Sequence, residues 1–260
     1  MNAVVVIPTF NERDNISHLL SQLRKVVGEV RGWKIEILVV DDNSPDETGD
    51  VVRQFAKRGK NIYLLPRQRK EGLGTAYLAG MRKAYDEMGA EVVLTMDADL
   101  SHSPEYLPDL LRKIKEGADF VVGSRYITGG AIPPNWPIQR KLLSVFGNII
   151  VTVFLGSRAL SDWTSGYRAI KKSVYERVRQ MIVEDRASAR GYTFNISFAY
   201  HAVAEGFKVS ETPIKFSDRR KGKSKLGLEY LFHTPIFLFR TLGSRVHARL
   251  QILLGGKVKA

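Results

Sequence analysis

Cysteine is absent from the 260 residues, so neither a disulfide framework nor a thiolate metal site can exist, and nothing calls for an oxidising compartment. No repeat or low-complexity tract interrupts the chain, which excludes fibrous and disordered classes. Ahead of the first apolar run, Ala3 to Ile7, there is no basic flank or small-residue cleavage site, so this segment reads as a first strand. Long apolar runs are missing too. Leu142 to Leu155 covers fourteen residues, short of the roughly 20 that span a bilayer, and is expected to be a buried helix or one lying in a membrane interface. Acidic residues are outnumbered, giving a formal net charge of +13. The excess is concentrated at the end, where Lys215 to Ala260 carries eleven basic residues against two acidic ones. A basic tail suits nucleic acid, an anionic membrane or a phosphorylated ligand. Its interleaving with Leu228, Leu231, Phe232, Ile236, Phe237, Leu238 and Phe239 argues against nucleic acid.

What is present is a chain large enough for one α/β domain with an appendage. Short apolar runs alternate with amphipathic segments, the pattern of β-α units feeding a mainly parallel sheet. Strands are expected at Ala3 to Ile7, Lys34 to Val40, Ile62 to Pro66, Val92 to Met96 and Phe120 to Gly123, with a further one near Lys208 to Val209. Asn11 or Asn15 is the expected cap of a first helix bearing Ile16, Leu19, Leu20 and Leu23. Leu107, Leu110, Leu111 and Ile114 mark another. From Arg219 to Lys225 the chain is polar and Gly-containing, and Leu226 to Leu254 reads as an amphipathic surface helix. We therefore divide the chain into a domain, 1–217, and a basic loop with C-terminal helix, 218–260.

In such sheets ligands gather beyond the carboxyl ends of the strands. The most informative stretch there is Asp97-Ala98-Asp99 after Val92 to Met96. Two carboxylates so spaced can hold Mg²⁺ or Mn²⁺, which in turn holds a diphosphate and neutralises charge on a departing phosphate. A calcium loop is excluded, because His102 stands where that loop needs Gly and no Glu occupies its twelfth position. His102 itself reads as a packing or capping residue. Asp41 and Asp42 close the second strand and would repel one another unless a ligand or polar partner intervenes, whereas Asn43, Ser44, Pro45 and Asp46 read as turn and cap. Lys70-Glu71-Gly72-Leu73-Gly74 opens a helix and offers backbone amides, but Tyr77 spoils a dinucleotide fingerprint. No zinc cluster or nucleophile elbow occurs.

Taken in order, Ile7-Pro8-Thr9-Phe10-Asn11-Glu12, Val40 to Asp46, Gly72 to Ala76, Met96 to His102, Gly123-Ser124-Arg125-Tyr126 and Gly222-Lys223-Ser224-Lys225-Leu226 resemble the dolichol-phosphate mannosyltransferases, family 2 glycosyltransferases of the GT-A fold. The resemblance implies GDP-mannose as donor, a polyprenyl phosphate as acceptor, inversion at the sugar carbon, Mg²⁺ or Mn²⁺, and work at the cytoplasmic face of a membrane, with room for a partner subunit there. It puts Pro8, Phe10, Glu12, Asp41, Asp42, Lys70, Gly72, Asp97, Ala98 and Asp99 around the donor, and Asp97 and Asp99 on the metal. Arg125, Arg140, Arg219 and Lys225 fall around the acceptor phosphate, with Arg168 a weaker candidate. Asp162-Trp163-Thr164-Ser165-Gly166-Tyr167-Arg168 keeps a family motif with one extra residue. Phe194-Asn195-Ile196-Ser197 departs from the family's Phe-Gln-x-Glu. The Gln-x-x-Arg-Trp of polysaccharide synthases is absent. Two other readings stay open: the same chemistry with UDP-glucose, and a nucleotide-sugar binder without activity. A phosphate acceptor, with its second pKa near ~6, is already anionic at neutral pH and needs no general base.

Overall fold

A computed structural model describes residues 1–59, 61–185, 188, 191, 193–219 and 229–253. Alternating apolar residues build its centre. In the first strand, β1 (Asn2–Thr9), Val4 and Val6 face one side of a sheet and Ala3, Val5 and Ile7 the other, and each set enters its own core. β1 is flanked by β2 (Lys34–Asp41) and β4 (Val92–Thr95), and β3 (Ile62–Pro66) lies beyond β2, all parallel. The sheet continues through β6 (Arg168–Lys171) and β5 (Phe120–Ser124) to β7 (Val209–Pro213), giving the order β3-β2-β1-β4-β6-β5-β7. β6 alone runs against its neighbours. That reversal matters for function. Because β6 enters the sheet at Arg168, opposite Thr95 and Val122, the segment leading into it is delivered to the rim where the parallel strands end.

The helices form two layers. On one side lie α1 (Arg13–Glu29), α2 (Thr48–Arg58) and α4 (Leu107–Lys115), whose Leu107, Leu110, Leu111 and Ile114 are all buried. On the other lie α3 (Leu73–Asp86), α6 (Lys172–Glu184) and α7 (Thr193–Ala204). α3 approaches the sheet so closely that a Cβ on Gly80 would meet Val6 Cγ1 at 2.4 Å. Neither Asn11 nor Asn15 caps α1. The cap position is Glu12, and Asn15 instead donates from Nδ2 to Glu12 Oε2 at 2.7 Å.

α5 (Ile138–Leu155) departs from one of the two alternatives left by its sequence, the buried helix. Asn148, Val151 and Leu155 are buried, while Leu142, Leu143, Phe146, Ile149, Ile150 and Val153 are exposed, so α5 is not a core helix. By length and composition alone it is large enough to cross a membrane. The C-terminal helix, α8 (Glu229–Leu253), packs against α5 and α7: Phe237 and Leu238 are buried, Thr234 shares a hydroxyl hydrogen bond of 2.9 Å with Thr193, and Phe239 meets Phe154 edge-on. Arg245 Nη1 donates to Phe154 O at 3.1 Å. The basic loop expected from Arg219 to Lys225 lies outside the described residues after Arg219, and so does Lys225.

Candidate active site

The acidic pair follows β4. Thr95 Oγ1 donates to Gly166 O at 2.7 Å, tying the strand end to the segment before β6. The Asp97 amide donates to His102 Nδ1 at 3.1 Å, and Asp97 Oδ1 accepts from the Tyr77 hydroxyl at 3.0 Å. Since His102 Nδ1 is an acceptor, the imidazole is neutral with its proton on Nε2. Burial lowers its pKa despite the pull of Asp97 and Asp99. Burial also pushes the Asp97 carboxyl up, and repulsion from Asp99 adds to this, although His102 and Arg219 oppose it. Asp99 sits in a tight turn with Leu100 at φ +67°. Its Oδ1 accepts from the Ser101 amide at 3.0 Å and hydroxyl at 2.5 Å, and its Oδ2 faces Arg219 Nη2 at 2.9 Å. Arg219 Nη1 reaches Glu12 Oε1 at 3.4 Å. The pair therefore already attracts a cationic group, and two carboxylates with this disposition fit Mg²⁺ or Mn²⁺. Among the described residues no cluster of three or more His, Cys, Asp or Glu could hold a metal, so a cation here must complete its shell from the donor and water.

At the β1–β2 end of the rim, Asp41 is a turn-former. Its Oδ1 accepts from Thr9 and Ser44 hydroxyls at 2.9 and 2.6 Å, and its Oδ2 from the Ser44 amide at 3.1 Å. Asp46 likewise accepts from the Thr48 and Arg13 amides, in keeping with a turn and cap at 43–46. Asp42 is relieved by Arg67, whose Nη1 lies 2.7 Å from its Oδ1. Burial nonetheless leaves the Asp42 carboxyl above its usual range. Arg67 Nη2 also binds Glu71 Oε2 at 2.8 Å and Thr75 at 3.1 Å, clamping the segment before α3. Lys70 Nζ stands 4.5 Å from the Phe10 ring centroid, so these two donor candidates meet, and Gly72 opens α3 at φ +104°.

Two of the basic candidates are joined through Phe216, Arg125 directly and Arg140 by way of Trp136. Its ring lies edge-on to His102 at 5.4 Å and to Trp136 at 6.0 Å, and the Arg125 guanidinium is 5.3 Å from its centroid. Arg125 is gripped by buried Asp162, Nε to Oδ2 at 2.7 Å and Nη2 to Oδ1 at 2.8 Å, with Thr164 Oγ1 at 2.6 Å from Nη2. Burial alone would raise the Asp162 carboxyl, but the Arg125 guanidinium and amide bring it below the usual range. Arg140 stacks on Trp136 at 3.8 Å and pairs with Asp218 at 3.6 Å, which also accepts from Asn135 and from the Trp136 indole. Asn148 links α5 to this group, accepting the Trp163 amide at 3.0 Å and donating to Thr164 Oγ1 at 3.3 Å.

Arg168 is not brought there. It is fully buried behind the acidic pair, donating to the carbonyls of Ser165, Trp163 and Asn195 at 2.7, 3.2 and 2.7 Å, and burial lowers its pKa to about 9. Asn195 donates back to Thr164 O at 3.3 Å, so the departed Phe-Gln-x-Glu motif contributes to the same loop. Sequence reasoning did not single out Arg67, Tyr77, Asp162 or Phe216 as site builders. Asp162 had a signal, as the first residue of its motif, whereas Phe216 had none because it acts through a contact between distant segments.

Residues 4–179 match the profile described as glycosyl transferase family 2. The polyprenol monophosphomannose synthase of Mycolicibacterium smegmatis is 39% identical over 228 residues, spanning 86% of this chain and 80% of that one. The dolichol-phosphate mannosyltransferase of Pyrococcus furiosus is 34% identical over 238 residues, 90% of this chain and 62% of that one. In fold, the chain resembles glucosyl-3-phosphoglycerate synthase from Mycobacterium tuberculosis, crystallised with Mn²⁺, UDP and phosphoglyceric acid, at a TM-score of 0.63 and 18% identity over 94% of this chain and 78% of that one. The mainly parallel sheet flanked by helices is of the GT-A type.

Proposed function

Because the chain belongs to glycosyl transferase family 2, we propose that it transfers mannose from GDP-mannose to a polyprenyl phosphate, with inversion, at a membrane surface. The observation that carries this reading is the joining of two charge patterns on one rim. Asp97 and Asp99, with Arg219 on the Asp99 carboxylate, suit the donor side, and the guanidinium groups of Arg125 and Arg140 stand against Phe216 and Trp136 on the other. The relatives named for polyprenol and dolichol phosphate mannosyl transfer support the acceptor class.

In this reading Asp99 and Asp97 would hold Mg²⁺ or Mn²⁺, which supplies charge neutralisation to the departing diphosphate. The chain's own groups do the rest. Phe10, Lys70, Asp42 and the amides after Gly72 border the nucleoside end, with Pro8, Glu12 and Ala98 completing that side. An anionic oxygen of the acceptor phosphate attacks the anomeric carbon from the face opposite the diphosphate. A new carbon–oxygen bond forms as the bond to the diphosphate breaks, and no proton has to be removed. Two anions must meet, so Arg125, Arg140, Arg219 and Lys225 are assigned to the acceptor phosphate. Asp162 fixes the Arg125 fork, and Tyr77 fixes Asp97.

We place the chain peripherally on the cytoplasmic face. The apolar stripe of α5 meets the bilayer. Residues 1–217 act as catalyst and 218–260 as the basic arm. Thermal-shift measurements with GDP, UDP, GDP-mannose and UDP-glucose, each with and without Mn²⁺, test the donor. Preferential stabilisation by the guanine nucleotides supports the reading, and preference for the uridine ones replaces it with glucosyl transfer.

A further inference from the structure

Both oxygens of Asp99 are engaged, but not equally firmly. Oδ1 is held by the amide and hydroxyl of Ser101 within its own turn. Oδ2 is held by Arg219, a long side chain on a segment without regular secondary structure. On the neighbouring acid, Oδ1 accepts from Tyr77 while Oδ2 lies 3.9 Å from His102 Nδ1, beyond hydrogen-bond reach. A divalent cation shared by the pair needs an open lone pair from each carboxylate, and a dication and a guanidinium on one oxygen repel each other. Asp97 offers Oδ2, and Asp99 offers Oδ2, because both lone pairs of Oδ1 are taken by Ser101; a dication on Oδ2 repels the Arg219 guanidinium that already sits there.

We propose that Arg219 and the divalent cation compete for Asp99 Oδ2, so that the cation's arrival turns Arg219 Nη2 from Asp99 toward the acceptor phosphate while Nη1 stays by Glu12. The proposal rests on the metal reading of the same site. It gives the enzyme an order of events: the positive charge needed by the acceptor is held on the donor side until that side is filled. The neighbouring residue links this step to the basic cluster, because Asp218 joins Asn135, Trp136 and Arg140. Release of Arg219 thus occurs beside the groups assigned to the acceptor.

Mn²⁺ binding to the full chain without nucleotide, followed by the electron paramagnetic resonance of free Mn²⁺, tests this directly. Arg219→Ala and Arg219→Gln are each expected to bind Mn²⁺ roughly three- to tenfold more tightly than the parent, the scale of a partly exposed ion pair. Lys215→Ala removes the same charge from the same segment and is expected to change affinity by less than about twofold, because screened charges at a distance contribute little. Unfolding midpoints confirm that each variant is folded. Unchanged or weaker Mn²⁺ binding by both Arg219 variants overturns the competition while leaving the metal reading intact. Equal tightening by Lys215→Ala also overturns it, showing a general charge effect. Failure of every chain to bind Mn²⁺, even after GDP is added, removes the competition and the metal reading together.

Discussion

Leu143→Asp with Ile150→Asp places two charges seven residues apart on the outward stripe of α5, where the parent side chains are 70% and 51% exposed. Full burial of such a side chain is worth about 1.5–3 kcal/mol, so the exposed parts together contribute roughly 2–4 kcal/mol when the helix enters a membrane interface. Losing that amount lowers the partition coefficient about 30-fold or more, since every 1.4 kcal/mol is about tenfold. The cost of bringing two carboxylates to the bilayer surface adds to the loss. Flotation with phosphatidylcholine–phosphatidylglycerol vesicles at low salt reads the partition. The folded core is untouched, so the unfolding midpoint and the thermal shift with GDP should match those of the parent. If the double variant floats as well as the parent, or the parent does not float at all, α5 is not the docking surface.

Asp99→Asn is expected to reduce mannosyl transfer by about a hundredfold or more at limiting Mg²⁺ or Mn²⁺, the range lost when transition-state charge goes unmatched, and full turnover would remove the metal role from this residue. Arg168→Met strands the carbonyls of Ser165, Trp163 and Asn195, and urea unfolding should show a loss of about 3–5 kcal/mol; a loss under about 1 kcal/mol would mean that the loop does not depend on it. Gly80→Ala drives a methyl into Val6 and is expected to cost about 1–3 kcal/mol in the same assay. His102 and His201 both have pKa values lowered by burial, so their unfolded forms take up protons first and stability falls as pH drops below about 6.5. His201→Gln should flatten that decline between about pH 6.5 and 5, and an unaltered slope would assign the loss to other groups.

How far the sequence disclosed this arrangement depended on whether an element made its own signal. β1, β2, β4 and β5 are apolar runs buried on both faces, and each places its chemistry at the strand end, so Asp42, Asp97, Asp99 and Arg125 could be put on one rim before any coordinates. β6 left almost no trace, because its four residues Arg168–Lys171 contain only Ala169 and Ile170 as apolar members and their place in the sheet is set by β4 and β5 on either side. The buried charge of Arg168 was equally hidden, since an arginine in this motif reads as a weaker candidate for the acceptor phosphate until three carbonyls are seen converging on it. Asp41 and Asp42 were legible as a pair in need of a partner. That the partner of one is Arg67 and of the other is its own turn required the packing of β3 and α3. For α5, composition gave the apolar residues but not their direction, which Asn148 fixes by binding the loop that holds Arg125.

Transfer of radiolabelled mannose from GDP-mannose into the organic phase, with a polyprenyl phosphate in detergent and Mg²⁺ or Mn²⁺ present, tests the central claim most directly. The account predicts a lipid-linked product containing mannose, lost when the acceptor is replaced by the corresponding polyprenol and lost in Asp99→Asn. Labelled sugar passing instead from UDP-glucose, or to the unphosphorylated alcohol with equal efficiency, would contradict it.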